Sequence, residues 1–133
     1  MKAMSLQSSH AICAQPAVAG SSLWTVELDA LAAQEAQEAL GTLTDDELAR
    51  MKRFRFERDR SRFAAGRAAL RFLLGTVLDR DPAALRFSAG AHGKPALADD
   101  PRLAFNLSHS GASPIVAIDP ARRHHSVGVD LEL

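Results

Sequence analysis

The chain has 133 residues, 16 Lys and Arg against 16 Asp and Glu, and 47% hydrophobic residues, a composition that fits one ordinary globular domain. A domain of this size buries roughly two thirds of the surface its unfolded chain exposes, so a core forms without disulfides or a structural metal. The one cysteine, Cys13, cannot form an internal disulfide, which fits a reducing, cytoplasmic setting. No run approaches the roughly 18 apolar residues of a membrane span, and zero net charge gives no global attraction to nucleic acid or anionic lipid.

Residues 1–21 combine Gln7, Ser8, Ser9, Gln15 and Pro16 with small residues and show no periodicity, so a disordered leader is expected. Gln15 and Pro16 interrupt the apolar stretch that a secretory signal needs. Leu23 to Leu28 alternates around Trp24, Val26 and Leu28 and reads as a strand, followed by a helix over Ala30–Leu40 with Asp29 as candidate cap and Gly41 as its stop. Thr44 and Glu47 have the capping-box spacing of a second helix reaching about Phe54. From Asp59 on, Phe63, Gly66, Leu70, Leu73, Leu74 and Val77 recur at three and four residues, which predicts an amphipathic helix of about five turns. Asp81-Pro82 closes that region.

The period then falls toward two. Leu85–Ser88, Arg102–Ser108, Ile115–Asp119 and Val127–Leu133 are short apolar or alternating runs separated by Gly90, Gly93-Lys94-Pro95, Gly111 and Pro120. One strand, three helices and a series of antiparallel strands make an α+β fold. Neutrality conceals a segregation of charge: residues 22–49 hold seven acidic side chains and no basic one, whereas 50–71 hold nine basic side chains against Glu57 and Asp59. Such a chain can attract an anion locally while remaining neutral overall.

Four stretches carry candidate chemistry. In Val129-Asp130-Leu131-Glu132-Leu133, strict alternation places both carboxylates on one face of a strand. That pair suits Mg²⁺, which takes one or two carboxylates with waters and phosphates, although an exposed edge strand has the same pattern. Phe105-Asn106-Leu107-Ser108-His109-Ser110 ends an apolar strand in hydrogen-bonding groups able to donate to a phosphate oxygen or to satisfy a turn. Gly93-Lys94-Pro95 pairs close backbone approach with a point charge in a fixed turn. The basic run 50–71 is either a solvated face or a phosphate-binding one. No Gly-x-Ser-x-Gly elbow, Walker loop, dinucleotide-binding glycine turn or zinc spacing is present.

Taken in order, Trp24, the run Arg50–Arg71 with Phe54 and Gly66-Arg67-Ala68-Ala69-Leu70-Arg71, Gly93-Lys94-Pro95, Phe105 to Ser110 and Val127-Gly128-Val129-Asp130-Leu131-Glu132 form one linear signature. Over residues 22–133 it resembles the Sfp-like, two-lobed 4′-phosphopantetheinyl transferases. The resemblance implies Mg²⁺-assisted transfer of 4′-phosphopantetheine from coenzyme A to a serine of an apo acyl or peptidyl carrier protein, with release of 3′,5′-ADP. Asp130 and Glu132 match the family's metal-binding carboxylates. Ser108 and His109 match the pair at the coenzyme's phosphate and nucleotide end, Gly93, Lys94 and Pro95 the turn beside the adenine and phosphates, and Arg50 and Arg62 basic contacts on the helices.

The family has two related lobes with the coenzyme between them. Here residues 22–126 match the first lobe and 127–133 the opening strand of the second. The downstream Trp-x-x-Lys-Glu motif, which holds the family's proton-transfer residues, is absent from these 133 residues. The chain is therefore expected to be an inactive N-terminal fragment whose partners are coenzyme A, a carrier protein and a C-terminal lobe. The apolar row of Val129, Leu131 and Leu133 invites self-association. Neither membrane nor nucleic acid is expected as a partner. The alternative is a non-catalytic module that binds phosphate or nucleic acid through the basic helices of 50–71.

Overall fold

Two hydrophobic strands and one long helix account for most of the core, and everything else is arranged around them. The computed structural model describes residues 11–18, 21–89, 95–98, 103–108 and 111–119. In chain order the elements are β1 (Ile12–Val18), β2 (Ser21–Val26), α1 (Leu28–Gln34), α2 (Ala36–Thr42), α3 (Asp45–Lys52), α4 (Glu57–Leu78), a 3₁₀ turn (Pro82–Ala84), β3 (Phe87–Ala89), β4 (Pro95–Leu97), β5 (Ala104–Leu107) and β6 (Ile115–Asp119). A four-stranded antiparallel sheet runs in the order β1-β2-β6-β5, and β3 and β4 form a separate hairpin. The α+β class expected from the sequence is the class found.

Inside the sheet β6 is an interior strand, paired with β2 on one side and β5 on the other. Its near-continuous burial from Val116 to Asp119 explains why Ile115-Val116-Ala117-Ile118 reads as an apolar run and not as an alternating one. The strand β1 corrects the expected disordered leader over residues 12–18. It lies at the sheet edge, held through backbone pairing with β2, in a register of Ile12 with Val26 and Ala14 with Trp24. The register shifts between Gln15 and Val18, around Pro16. An irregular edge strand tolerates proline and exposed polar residues, so its sequence lacks the hydrophobic alternation of a half-buried strand.

The first predicted helix is two. Helix α1 begins at Leu28, whose side chain is buried, so β2 stops at Val26 and Asp29 lies inside the first turn, not at the cap. The chain breaks at Glu35, and Gly41 lies within α2, which ends at Thr42 with Leu43 as its cap. The capping box of α3 is present in full: the Thr44 hydroxyl accepts from the Glu47 amide at 3.2 Å, and Glu47 Oε1 accepts from the Thr44 amide at 2.9 Å.

Helix α4 differs from the amphipathic helix expected. From Ala64 to Gly75 every residue except Arg67 is buried, because α1, α2, α3, the 3₁₀ turn and the sheet surround it. Its alanines allow close approach on one side, while Leu70, Leu73 and Leu74 join Val26, Leu31, Leu85, Val116 and Ile118 in the core. It ends at Asp79 in the left-handed conformation, with the Arg80 amide donating to Gly75 at 2.8 Å. A Cβ on Gly75 would lie 2.6 Å from the Arg80 carbonyl oxygen and 3.1 Å from Pro82. Among the described residues no helix is long and apolar enough to cross a membrane.

Among the described residues, Arg71, Glu47 and Asp119 are buried charged side chains, and Arg71 is the deepest of them. Arg71 is 1% exposed. Its Nε donates to Glu47 Oε1 at 2.9 Å, and its Nη1 donates to the carbonyls of Pro82 at 2.8 Å and Leu85 at 2.6 Å. Arg67 Nη1 donates to the other oxygen, Glu47 Oε2, at 3.1 Å. Burial alone would push the Glu47 carboxyl up. The hydrogen bonds from Arg71 and the Thr44 amide, with the charges of Arg71 and Arg67, overcome this and hold it below its ordinary value.

Two stability predictions follow from this packing. Because the folded-state value of Glu47 lies below the unfolded one of about 4.3, its stabilisation is present above that pH and is lost as pH falls through the folded-state value. Denaturant unfolding across pH 3 to 7 is expected to show this loss, with Glu47→Gln flattening it and Glu47→Ala costing about 3–5 kcal/mol at neutral pH. Gly75→Ala, favourable by helix propensity, is expected instead to destabilise by about 1–3 kcal/mol through overpacking against the Arg80 carbonyl, read as a lowered unfolding midpoint.

Candidate coenzyme-binding surface

Ser108 follows β5 directly and is buried. Its amide donates to the Ile115 carbonyl at 2.9 Å, and its hydroxyl oxygen accepts from the Ile115 amide at 2.8 Å. The side chain thus extends the β5–β6 ladder by one rung. A hydroxyl that accepts in this way keeps its own proton for donation to a ligand oxygen. The loop returning to β6 passes through Gly111 at φ +65°, a left-handed position that glycine adopts without steric cost.

That returning turn is fastened to the start of α1. The Leu28 amide donates to the Ala112 carbonyl at 2.8 Å, the Val26 amide to the Pro114 carbonyl at 3.0 Å, and the Ser113 hydroxyl to Glu27 Oε1 at 2.7 Å. One residue beyond Leu28, Asp29 grips Arg62 of α4 with two parallel bonds, Nε to Oδ1 and Nη2 to Oδ2, both 2.9 Å. The hydrogen bond from Arg62 holds the Asp29 carboxyl below its ordinary value, and the carboxylate raises Arg62 in return. Nη1 of the guanidinium lies outside the pair, so among the described residues Arg62 keeps a donor nitrogen left over. The start of α1 is therefore bonded on one side to the turn Ala112–Pro114 that follows Ser108 and on the other, through Asp29, to Arg62 of α4; the candidates Ser108 and Arg62 are 46 positions apart in the sequence.

A second line of contacts runs from Arg50 along α4 to the strands. The Arg50 guanidinium lies over the Phe63 ring at 5.5 Å, and Arg67 stands 5.4 Å from the same ring and 5.1 Å from Phe87. Arg71 is also 5.1 Å from Phe87, and Phe87 meets Phe105 of β5 edge-on at 6.3 Å. Arg50 remains exposed. Pro95 opens β4, where it pairs with Ala89. Gly93, Lys94, His109, Asp130 and Glu132 lie outside the described residues, as does the Val127–Leu133 strand. Among the described residues no group of three or more His, Cys, Asp or Glu could hold a metal ion.

The basic run is thus divided by partner. Arg62, Arg67 and Arg71 are taken up by Asp29 and Glu47, which belong to the acidic segment. Arg60 donates to the Phe54 and Arg55 carbonyls and ties the α3–α4 connection. Sequence reasoning missed Asp29, Glu47, Arg71 and Phe87 as contributors to this surface. The abrupt change from acidic to basic at position 50 was the available signal, because complementary runs on consecutive helices can pair in three dimensions. A cleft lined by Phe72, Gly75, Thr76, Asp79, Arg80, Asp81 and Pro82 lies at the far end of α4 and holds none of the candidates.

Residues 31–121 match the family described as 4′-phosphopantetheinyl transferase, N-terminal. The chain is 42% identical over 113 residues to the 4′-phosphopantetheinyl transferase HetI of Nostoc sp., a match covering 83% of this chain and 46% of that protein. It is 35% identical over 112 residues to a phosphopantetheinyl transferase of Thraustochytrium sp., covering 81% and 38%. To the 4′-phosphopantetheinyl transferase Sfp of Bacillus subtilis it is 28% identical over 102 residues, covering 77% and 44%. The chain spans less than half the length of each of these relatives.

The structural role of Ser108 is open to measurement. Ser108→Ala leaves the Ile115 amide without its acceptor and is expected to cost about 1–3 kcal/mol in denaturant unfolding. Ser108→Cys, a poorer acceptor of nearly the same shape, is expected to fall between the two.

Proposed function

Because this chain belongs to the 4′-phosphopantetheinyl transferase family, we propose that it supplies the coenzyme-binding half of an enzyme that moves 4′-phosphopantetheine from coenzyme A to a serine of an apo acyl or peptidyl carrier protein. In that reaction the serine oxygen forms a bond to the phosphorus bearing the pantetheine arm. The bond from that phosphorus to the bridging oxygen breaks, 3′,5′-ADP leaves, and the serine proton passes to a base. The observation that carries the reading is the Asp29-oriented guanidinium of Arg62 at a helix start fastened to the Ser108 turn.

The residues divide the work by chemistry. A 3′-phosphate and a diphosphate make a strongly anionic ligand, and Arg62 and Arg50 supply fixed positive charge for it. Ser108 holds its hydroxyl oxygen on the Ile115 amide and offers its proton to a phosphate oxygen. Gly93, Lys94, Pro95 and His109 are assigned to the nucleotide end by the family resemblance. Asp130 and Glu132 would hold Mg²⁺, since two carboxylates are the hard oxygen donors that ion takes. When bound, the ion supplies charge stabilisation at the diphosphate. The sequence of this chain has no Trp-x-x-Lys-Glu run, so the 133 residues alone are expected to bind the coenzyme without turning it over.

Calorimetry of the 133-residue chain with coenzyme A, with and without Mg²⁺, tests the reading. Arg62→Ala and His109→Ala are each expected to weaken binding about tenfold, or about 1.4 kcal/mol, and Asp130→Ala to remove the effect of the metal. Absence of heat with coenzyme A, together with salt-dependent binding to generic duplex DNA, would instead favour a nucleic-acid module.

A further inference from the structure

A buried ion pair is weak grounds for stability, because well-packed apolar side chains of similar volume often serve as well or better. The position of Arg71 therefore calls for a geometric reason. Its guanidinium joins three pieces of chain that no apolar residue could join: the Glu47 carboxylate on α3 and the Pro82 and Leu85 carbonyls at both ends of the 3₁₀ turn. Two residues after Leu85 comes Phe87, the first residue of β3, with Arg67 and Arg71 each 5.1 Å from its ring. Both arginines are anchored by the two oxygens of Glu47.

Phe87 in turn touches both strands that lead to predicted coenzyme contacts. It pairs with Leu97 in the β3–β4 hairpin, which fixes Pro95 opposite Ala89. Its ring also meets Phe105 edge-on, and Phe105 lies three residues before Ser108 on β5. We infer that Glu47, Arg67, Arg71 and Phe87 form a positioning unit that sets the spacing between the β3–β4 hairpin and the end of β5, and thereby the width of the coenzyme site. The inference rests on the coenzyme reading of Pro95 and Ser108 and deepens it. None of the four need touch the coenzyme; they act through the two strands.

The rings and forks separate positioning from packing. Phe87→Leu keeps an apolar side chain of similar bulk but removes the aromatic face against the two guanidiniums, whereas Phe87→Tyr keeps the face. Arg71→Lys keeps the charge and loses the planar fork. Calorimetry with coenzyme A on the 133-residue chain is expected to show about tenfold weaker binding for Phe87→Leu and Arg71→Lys, and parent affinity for Phe87→Tyr, each protein first shown to be folded by its cooperative unfolding transition. Parent affinity in folded Phe87→Leu would overturn the inference and leave the coenzyme reading intact. Should Phe87→Leu fail to fold, parent affinity in Arg71→Lys would overturn it equally. Absence of binding by the parent chain would overturn the coenzyme reading, and this inference with it.

Discussion

The carboxylate of Glu47 is the constraint on which the rest of the architecture depends. It completes the capping box of α3, takes Arg71 on one oxygen and Arg67 on the other, and is itself buried. One side chain thus fixes where α3 begins, how it lies against α4, and how the chain leaves α4 toward the hairpin. A carboxylate buried without those donors would be driven to take up a proton. With them it stays charged between the two guanidiniums.

Charge on α3 and α4 is arranged in a gradient of commitment. Arg71 is spent entirely on the interior, Arg67 bridges the interior and the aromatic rings, Arg62 is oriented by a partly exposed partner, and Arg50 is exposed over a ring. A cluster of unpaired arginines would repel itself and have no preferred geometry. Pairing the inner members with acids of the preceding helices gives the outer ones a rigid base from which to meet an anion. On the proposed coenzyme reading, this arrangement would suit a ligand carrying several phosphates more than an extended polyanion.

The chain's membership in the 4′-phosphopantetheinyl transferase family fits the coenzyme reading proposed for this cationic surface. The strand ends, the turn after Ser108 and the start of α1 are joined mainly through backbone hydrogen bonds, which are indifferent to side-chain identity. Segments held in this way tolerate change in the side chains of the loops that join them.

Much was legible from residues alone. The α+β class, the capping box at Thr44 and Glu47, the long helix through Leu70 and Leu74, its stop before Pro82, and the strand at Ile115 all followed from local periodicity and turn chemistry, which act over a few neighbouring positions. The family signature likewise lay in short runs in a fixed order. The break at Glu35, the pairing of β1, the burial of Arg71 and the grip of Asp29 on Arg62 were decided only by tertiary structure. The last two depend on partners 11 to 33 positions away. A proline-bearing edge strand is stabilised by its neighbour's backbone, and a buried guanidinium by carbonyls and a carboxylate from other elements; neither leaves a periodic trace in its own segment.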